Sequence, residues 1–157
     1  MEELHTVTLS NLAMHQFYVM LNDFRPNNTK DLIPLKSLYD ALHFPVTQFE
    51  QMWRWLIDAG KGIEGKINNP AFTPEEKEKF ALELQSNDVS VGALHEARFE
   101  IPLGHSEVVM MNNIVRKFVT SGKIAGMLSV GAAAELLGET EKYVPDELQE
   151  GEVDNTQ

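Results

Sequence analysis

The stretch LIPLKSLYDALHFPVTQFEQMWRWLIDAG, Leu32 to Gly60, decides the fold of this chain. Its first part carries apolar residues at the i, i+3, i+4, i+7 spacing of an amphipathic helix: Leu35, Leu38, Tyr39 and Leu42. Pro34 suits a first helical turn, whereas Pro45 cannot continue the helix that precedes it. The sequence therefore predicts a helix from about Pro34 to His43 and a tight corner at HFPV.

The second part of the stretch predicts another helix, QFEQMWRWLIDA, with Thr47 as its N-cap and Gly60 as its C-terminal stop. The apolar spacing assigns four residues to the inner face of this helix: Phe49, Met52, Trp53 and Leu56. The following KGIEGKINNPAF is rich in Gly and Asn. It predicts a short hairpin or an irregular wing over residues 61–72.

The flanking sequence adds further helices and little strand. LHTVTLS alternates like a short strand, and Ser10 is placed to cap the helix NLAMHQFYVMLNDF. Thr73, Pro74 and Glu76 form a capping box ahead of another helix, and Ser106 is placed to cap the helix EVVMMNNIVRKFVTSG. A last helix is built on VGAAAELLG, VSVGALHEARFEIPLG leans towards strand, and no internal repeat is evident. The predicted class is mainly α with minor β.

The order of helix, turn, helix, corner, helix and Gly-bounded wing resembles the winged helix-turn-helix of MarR-type transcription regulators. Residues Leu9 to about Lys66 carry the resemblance. LSNLAMHQFYVML is similar to the first helix, PLKSLYDALHF to the second, and TQFEQMWRWLIDAGKGIEG to the recognition helix that runs into the wing. The resemblance implies a winged-helix-like N-terminal half.

This division predicts three segments. Residues 1–72 form the winged-helix-like segment, and residues 73–144 form a helical segment that packs on it, either as a separate domain or as one domain with it. Residues 145–157 form an acidic tail that lacks apolar density and is expected to be disordered. The formal net charge of the chain is −11. From Glu135 to the end there are eight acids and one base, so −7 of that charge lies in this region.

The predicted recognition helix lacks the chemistry of a DNA reader. A base-reading helix uses Arg or Lys for guanine and phosphate and Asn or Gln for adenine. Here the outward positions offer Gln48, Gln51 and Arg54, and the wing adds Lys61 and Lys66. Residues 1–72 carry six bases against eight acids, which disfavours affinity through phosphate contacts.

Trp55 lies at the edge of the inner stripe, where the helical pattern predicts a solvated residue. The sequence leaves three explanations open: packing against later helices, anchoring a partner at an interface, or contacting DNA. The candidate partner-binding residues are therefore Gln48, Gln51, Arg54, Trp55, Lys61 and Lys66.

The sequence shows no recognisable catalytic motif. It has no cysteine, which excludes thiol chemistry, and it lacks both the phosphate-binding loop and the serine nucleophile elbow. His95, His105 and Glu107 do not have the i, i+4 histidine spacing of a zinc-protease helix. We expect no enzyme activity, no cofactor and no metal.

The predicted function is that of a non-catalytic regulatory or adaptor protein that binds a protein partner, or itself, through the winged-helix-like body. One alternative is a sequence-specific DNA-binding transcription regulator, and another is a small helical structural or assembly factor. DNA binding is possible but disfavoured by charge, a homodimer is possible, and no membrane association is expected. The absence of cysteine and of a basic-then-apolar signal peptide favours a cytoplasmic location.

Overall fold

The computed structural model describes residues 2–121 and 128–144, and the predicted acidic tail at 145–157 lies outside them. Over these residues the chain is mainly helical with one two-stranded antiparallel sheet, which confirms the predicted class of mainly α with minor β. In chain order the elements are β1 (Leu4–Ser10), α1 (Asn11–Asp23), a 3-10 turn (Thr29–Asp31), α2 (Leu32–Ile67), α3 (Pro74–Glu96), β2 (Arg98–Gly104), α4 (His105–Thr120) and α5 (Val130–Glu141).

The chain divides into two compact units. The core unit comprises Met1–Val46 and Arg98–Gln157, and the hairpin unit comprises Thr47–Ala97. The first unit is discontinuous in sequence. The boundaries between the units lie after Val46 and after Ala97, and neither coincides with the predicted boundary at residue 72. The boundary after Val46 falls inside α2 rather than in a loop.

The sheet of the core unit joins two segments that lie far apart in the chain. Strand β1 pairs with β2 in an antiparallel register that sets Leu4 opposite Gly104 and Ser10 opposite Arg98. Val7, Leu9, Ile101 and Leu103 point to one face of this ribbon and are buried. The hydrophobic core gathers around that face and takes in residues of α1, α4, α5 and the first half of α2.

Helix α2 corrects the predicted corner at Pro45. It is one helix of 36 residues, with Pro45 inside it, so the Thr47 cap and the Gly60 stop are wrong. A proline inside a helix removes one hydrogen bond and costs about 3 kcal/mol. The i, i+4, i+8 run of Leu38, Leu42 and Val46 is buried on both sides of Pro45, and this burial offsets the cost.

The predicted wing is also wrong. Residues 61–67 continue α2, and the chain then turns through Asn68–Thr73 into α3. Gly60 is buried inside the helix and serves a close contact rather than a stop. The helix-turn-helix and wing that carried the resemblance to MarR-type regulators are therefore not formed within Leu32–Ile67.

The caps of the other helices confirm two predictions and correct one. Ser10 Oγ accepts a hydrogen bond from the backbone N–H of Ala13 at 3.2 Å, and Thr73 and Glu76 form the predicted capping box of α3. Helix α4 begins after Gly104 rather than Ser106. The backbone N–H of Ser106 instead donates to the carboxylate of Glu2. Hydrogen bonds from the Ser106 side chain and backbone, together with the charges of His105 and His5, hold the pKa of Glu2 below its ordinary value.

The core unit contains an internal repeat that the sequence analysis missed. A β–α–α order occurs twice, as β1–α1–α2 and as β2–α4–α5. Ten buried positions of the first half are each followed, 94 positions later, by a buried position of the second, as from Val7 to Ile101. The first set is Val7, Leu9, Met14, Phe17, Tyr18, Met20, Leu21, Leu38, Leu42 and Val46. Among these ten pairs, only the two leucine pairs at positions 9 and 42 keep the same residue, so the repeat lies in burial rather than in identity.

Side chains on and just after α5 cover the free edge of β1. The Tyr143 hydroxyl donates to the Thr6 carbonyl at 3.0 Å, and the Thr8 N–H donates to Glu139 at 2.8 Å. The backbone N–H and the hydroxyl of Ser10 both donate to Glu135. The three helical residues are spaced by four positions and their three strand partners by two positions. Four residues of a helix rise about 6 Å and two residues of a strand rise about 6.6 Å, so the helical side chains keep in step with the strand. The strand edge is thus closed to other strands.

The edge of β2 is protected differently. The residue 94 positions after Thr8 is Pro102, which has no N–H to donate. The residues 94 positions before Glu135 and Glu139 are Ala41 and Pro45, which carry no carboxylate. The edge of β1 is therefore covered by side chains that hydrogen-bond to its backbone, whereas the edge of β2 carries a proline that has no N–H for another strand to bind.

Glu139 has a pKa below its ordinary value of 4.5. Burial by itself raises this pKa, but hydrogen bonds from Lys142 and the Thr8 N–H, with the charges of Lys142 and Arg98, outweigh burial. A carboxyl with a lowered pKa stabilises the folded state above its unfolded pKa, and the stabilisation disappears as the pH falls through the folded pKa.

We expect Glu139→Gln to lower the urea concentration of half-unfolding at pH 7. The difference from wild type should shrink as the pH falls below 4.5 and through the lower pKa of folded Glu139, because the wild-type carboxylate then takes up a proton. Urea unfolding followed by circular dichroism across this range measures it. Glu83→Gln, at an exposed carboxyl on α3, serves as the control. A difference that stays constant with pH would contradict the role given to Glu139.

Candidate partner-binding surface

The hairpin unit is built from the second half of α2 and from α3, which run antiparallel. Trp53 contacts His95 near one end, Gly60 meets Asn87 in the middle, and the Lys66 ammonium lies over Phe80 near the turn. Apolar and small residues follow a four–three spacing along the inner side of α2: Phe49, Trp53, Leu56, Gly60, Ile63 and Ile67. This is the heptad pattern of a two-helix coiled coil.

Asn87 fixes the middle of this hairpin. Its side-chain amide donates to the Leu56 carbonyl at 3.1 Å. A Cβ added at Gly60 would lie 2.8 Å from the Asn87 side-chain oxygen, so only glycine leaves room for this contact. A polar residue at one inner position of a coiled coil selects its register, which is the role that this geometry gives Asn87.

An aromatic cluster closes the end of the hairpin away from the turn. The rings of Phe49 and Trp53 stack with centroids 5.6 Å apart, and the Trp53 ring meets His95 edge-on at 4.9 Å. His95 therefore packs within the hairpin unit. In the core unit, His105 Nδ1 lies 3.1 Å from His5 Nε2. The described residues hold no group of three His, Asp or Glu side chains suited to a metal ion.

The six predicted partner-binding residues all lie on this part of α2 and are all exposed: Gln48, Gln51, Arg54, Trp55, Lys61 and Lys66. They do not share one face. At 3.6 residues per turn, Gln48, Gln51 and Trp55 lie together, whereas Arg54 and Lys61 lie on a neighbouring side. Lys66 lies 5.3 Å from the centroid of the Phe80 ring.

Met52 corrects the predicted inner face of the helix. Its side chain is 56% exposed, and Trp55 beside it is 71% exposed. The five inner residues of α2 from Phe49 to Ile63 are each preceded by one residue of a second row with the same four–three spacing: Gln48, Met52, Trp55, Ala59 and Gly62. We call this row the α2 stripe. The prediction was wrong because the two rows are adjacent on the helix and both contain apolar residues, so apolar spacing alone does not show that Met52 belongs to the outer row.

Helix α3 exposes two further apolar residues, Leu82 at 67% and Val89 at 68%. They are seven residues apart, so they lie on one side of the helix. Leu82 lies within the predicted helix, whereas Val89 begins the strand-leaning stretch VSVGALHEARFEIPLG, of which α3 includes the part up to Glu96. The heptad spacing of the inner residues Leu84, Asn87 and Val91 was the signal that predicts the longer helix.

The two helices of the hairpin differ in charge. Residues 47–67 of α2 contain three acids and three bases, which balance. Helix α3 contains six acids and two bases, a net charge of −4. The α2 stripe thus lies on the neutral helix of an acidic unit.

A cleft of about 440 Å³ lies in the core unit between the end of α1 and the start of α2. Leu21, Phe24, Leu35 and Tyr39 supply apolar lining. Its charged groups are already engaged, because Arg25 donates to backbone carbonyls and Lys36 pairs with Asp40 at 2.7 Å. The cleft therefore presents no converging set of groups for catalysis.

Comparison with protein-family models, with curated proteins and with solved structures finds no match to this chain. The comparisons therefore neither support nor contradict the resemblance to MarR-type regulators, whose predicted corner and wing are replaced here by the continuous helix α2. None of the helices in the described part of the chain is both long enough and apolar enough to cross a membrane.

Replacing Gly60 and Gly65 by alanine should show whether Gly60 is needed for its close contact with Asn87, because the gain in helix propensity is the same at both positions. Gly→Ala inside a helix normally stabilises by about 1 kcal/mol. We expect Gly65→Ala to show most of this gain, because a Cβ there meets no atom within 4 Å. Gly60→Ala should show none of it or be destabilising, since the Asn87 hydrogen bond, worth about 1 kcal/mol, must shift.

Thermal and urea unfolding of both variants measures the difference. In an Asn87→Ala background, Gly60→Ala should recover the gain. A stabilisation by Gly60→Ala in the wild-type background equal to that by Gly65→Ala would contradict the contact.

Tryptophan fluorescence should distinguish the two tryptophans. Trp55 is 71% exposed and Trp53 is half-buried against Phe49 and His95. In dilute, monomeric protein, we expect Trp55→Phe to shift the emission maximum to shorter wavelength and to reduce quenching by iodide several-fold. Trp53→Phe is the matched variant and should leave strongly quenched emission. Equal quenching of the two variants would contradict the exposure of Trp55.

Proposed function

We propose that this chain is a non-catalytic adaptor or regulatory protein that binds a protein partner through the α2 stripe. The observation that carries the proposal is the exposure of Trp55 and Met52, at 71% and 56%, side by side on a paired helix. An interface anchor buries about 150–250 Å² per tryptophan, which makes it a dominant contributor to affinity. A cytoplasmic location is part of this proposal and rests on the cysteine-free sequence.

The hairpin suits this role because the contacts between its two helices are made by other residues than those of the α2 stripe. Phe49, Trp53 and Leu56 pack towards α3, so Met52 and Trp55 are not required for the hairpin to form. A rigid helix that presents large side chains loses little conformational entropy on binding. The neutral charge of residues 47–67 supports binding through apolar contacts rather than through charge.

DNA binding has less support. A two-stranded ribbon fits a major groove, and the outer face of β1 and β2 is the element of this fold with that shape. Its one cation, Arg98, lies 3.5 Å from Glu135, and Glu100 on the same face would repel phosphate. On α2, the cations Arg54 and Lys61 are balanced by Glu50, Asp58 and Glu64.

A pull-down on immobilised full-length chain, with and without nuclease, tests the proposal. We expect a protein that is retained after nuclease treatment and whose capture falls at least about 30-fold with Trp55→Ala. Leu82→Ala removes an equally exposed apolar side chain from α3 and should leave capture unchanged.

Two outcomes would count against protein binding through the α2 stripe. One is capture of DNA fragments that is lost with Arg54→Ala and Lys61→Ala. The other is equal protein capture by wild type and Trp55→Ala.

A further inference from the structure

The α2 stripe is complementary to itself when two copies lie antiparallel. Placing Met52 of one copy opposite Gly62 of the other also places Trp55 opposite Ala59. Each large side chain then faces a small residue, and the same pairs recur in reverse across the twofold axis. This is the arrangement that an isologous dimer requires.

The small residues of the stripe have room for a partner. A Cβ built at Gly62 meets no atom within 4 Å, so the surface in front of Gly62 is open. Met52 is 56% exposed, and its flexible thioether side chain adapts to such a surface.

The charges beside the stripe are complementary in the same antiparallel arrangement. Arg54, Asp58 and Lys61 lie along one side of the α2 stripe. In antiparallel helices, Asp58 of each copy comes next to Arg54 of the other, which forms two opposite-charge contacts by symmetry. A parallel arrangement would instead turn this side of each helix towards the opposite side of the stripe on the other copy, so that Arg54 and Asp58 of the two copies would not meet.

We infer that the α2 stripe docks on the α2 stripe of a second copy of this chain, with the two helices antiparallel about a twofold axis between Trp55 and Ala59. This inference rests on the proposed function, because it assigns the partner of the same surface. The dimer buries both copies of Trp55 and satisfies the charges beside the stripe.

Gly62→Leu tests the docking without removing a contact from the single chain. The leucine side chain enters open space in the monomer but fills the site that Met52 of the second copy occupies. Gly65→Leu is the matched control, since Gly65 is equally open and lies off the stripe. Circular dichroism and thermal unfolding report that both variants fold.

Sedimentation equilibrium of the full chain measures the association. We expect a dimer for wild type and Gly65→Leu, and at least a 100-fold larger dissociation constant for Gly62→Leu and for Trp55→Ala. A monomeric wild type at all concentrations would overturn the inference, as would a folded Gly62→Leu that dimerises like wild type.

Introduced cysteines test the antiparallel orientation, because the chain has no cysteine of its own. Met52→Cys chains mixed with Gly62→Cys chains should oxidise mainly to the mixed disulfide. Met52→Cys mixed with Val89→Cys is the control and should not. Predominant disulfides between two Met52→Cys chains would indicate parallel helices and overturn the inference.

The two proposals fail separately. A monomeric wild type that still captures another protein in a Trp55-dependent manner overturns self-docking and leaves the adaptor proposal standing. A dimer that Trp55→Ala does not weaken overturns self-docking through the α2 stripe, and unchanged capture by the same variant overturns the adaptor proposal independently.

Discussion

The pairing of β1 with β2 is the constraint on which the core unit depends. The strands are seven residues each and come from positions near residues 4–10 and 98–104, so every contact between them is distant in sequence. The pairing buries Val7 and Ile101 side by side and gives α1, α4 and α5 a common apolar face. A two-stranded ribbon is only marginally stable alone, so the packed helices and the side chains that cover β1 are part of the same structure.

Local signals predicted the helices that begin with a strong cap. Ser10 and the Thr73–Glu76 capping box place the starts of α1 and α3 correctly, because each acts through neighbouring residues. The class, mainly α with minor β, follows from such signals.

The predictions at Pro45 and Gly60 were wrong because the structure at these positions depends on residues that are distant in sequence. A proline and a glycine end helices in isolation, but here buried neighbours of Pro45 and a close contact at Gly60 with Asn87 decide their structure.

The candidate site was predicted in part. The six candidate residues do lie on one exposed helix segment, because polar and border positions of an amphipathic helix face solvent. The prediction that Met52 faces inward is wrong, because two adjacent rows of α2 both carry apolar residues and spacing alone does not separate them. The β–α–α repeat was invisible for a similar reason: it conserves burial, as in Phe17 and Met111, while residue identity differs.

The hairpin unit also has a consequence for how the chain folds. Strand pairing between Val7 and Ile101 must close a long loop, and the entropic cost of closure falls by about 0.6 kcal/mol for each halving of its effective length. Within the hairpin, Phe49 and His95 lie with ring centroids 5.7 Å apart, although 46 positions separate them in the chain. A hairpin formed early from its local contacts therefore removes about half of the loop before the strands meet. The hairpin unit thus lowers the entropic cost of bringing β1 and β2 together.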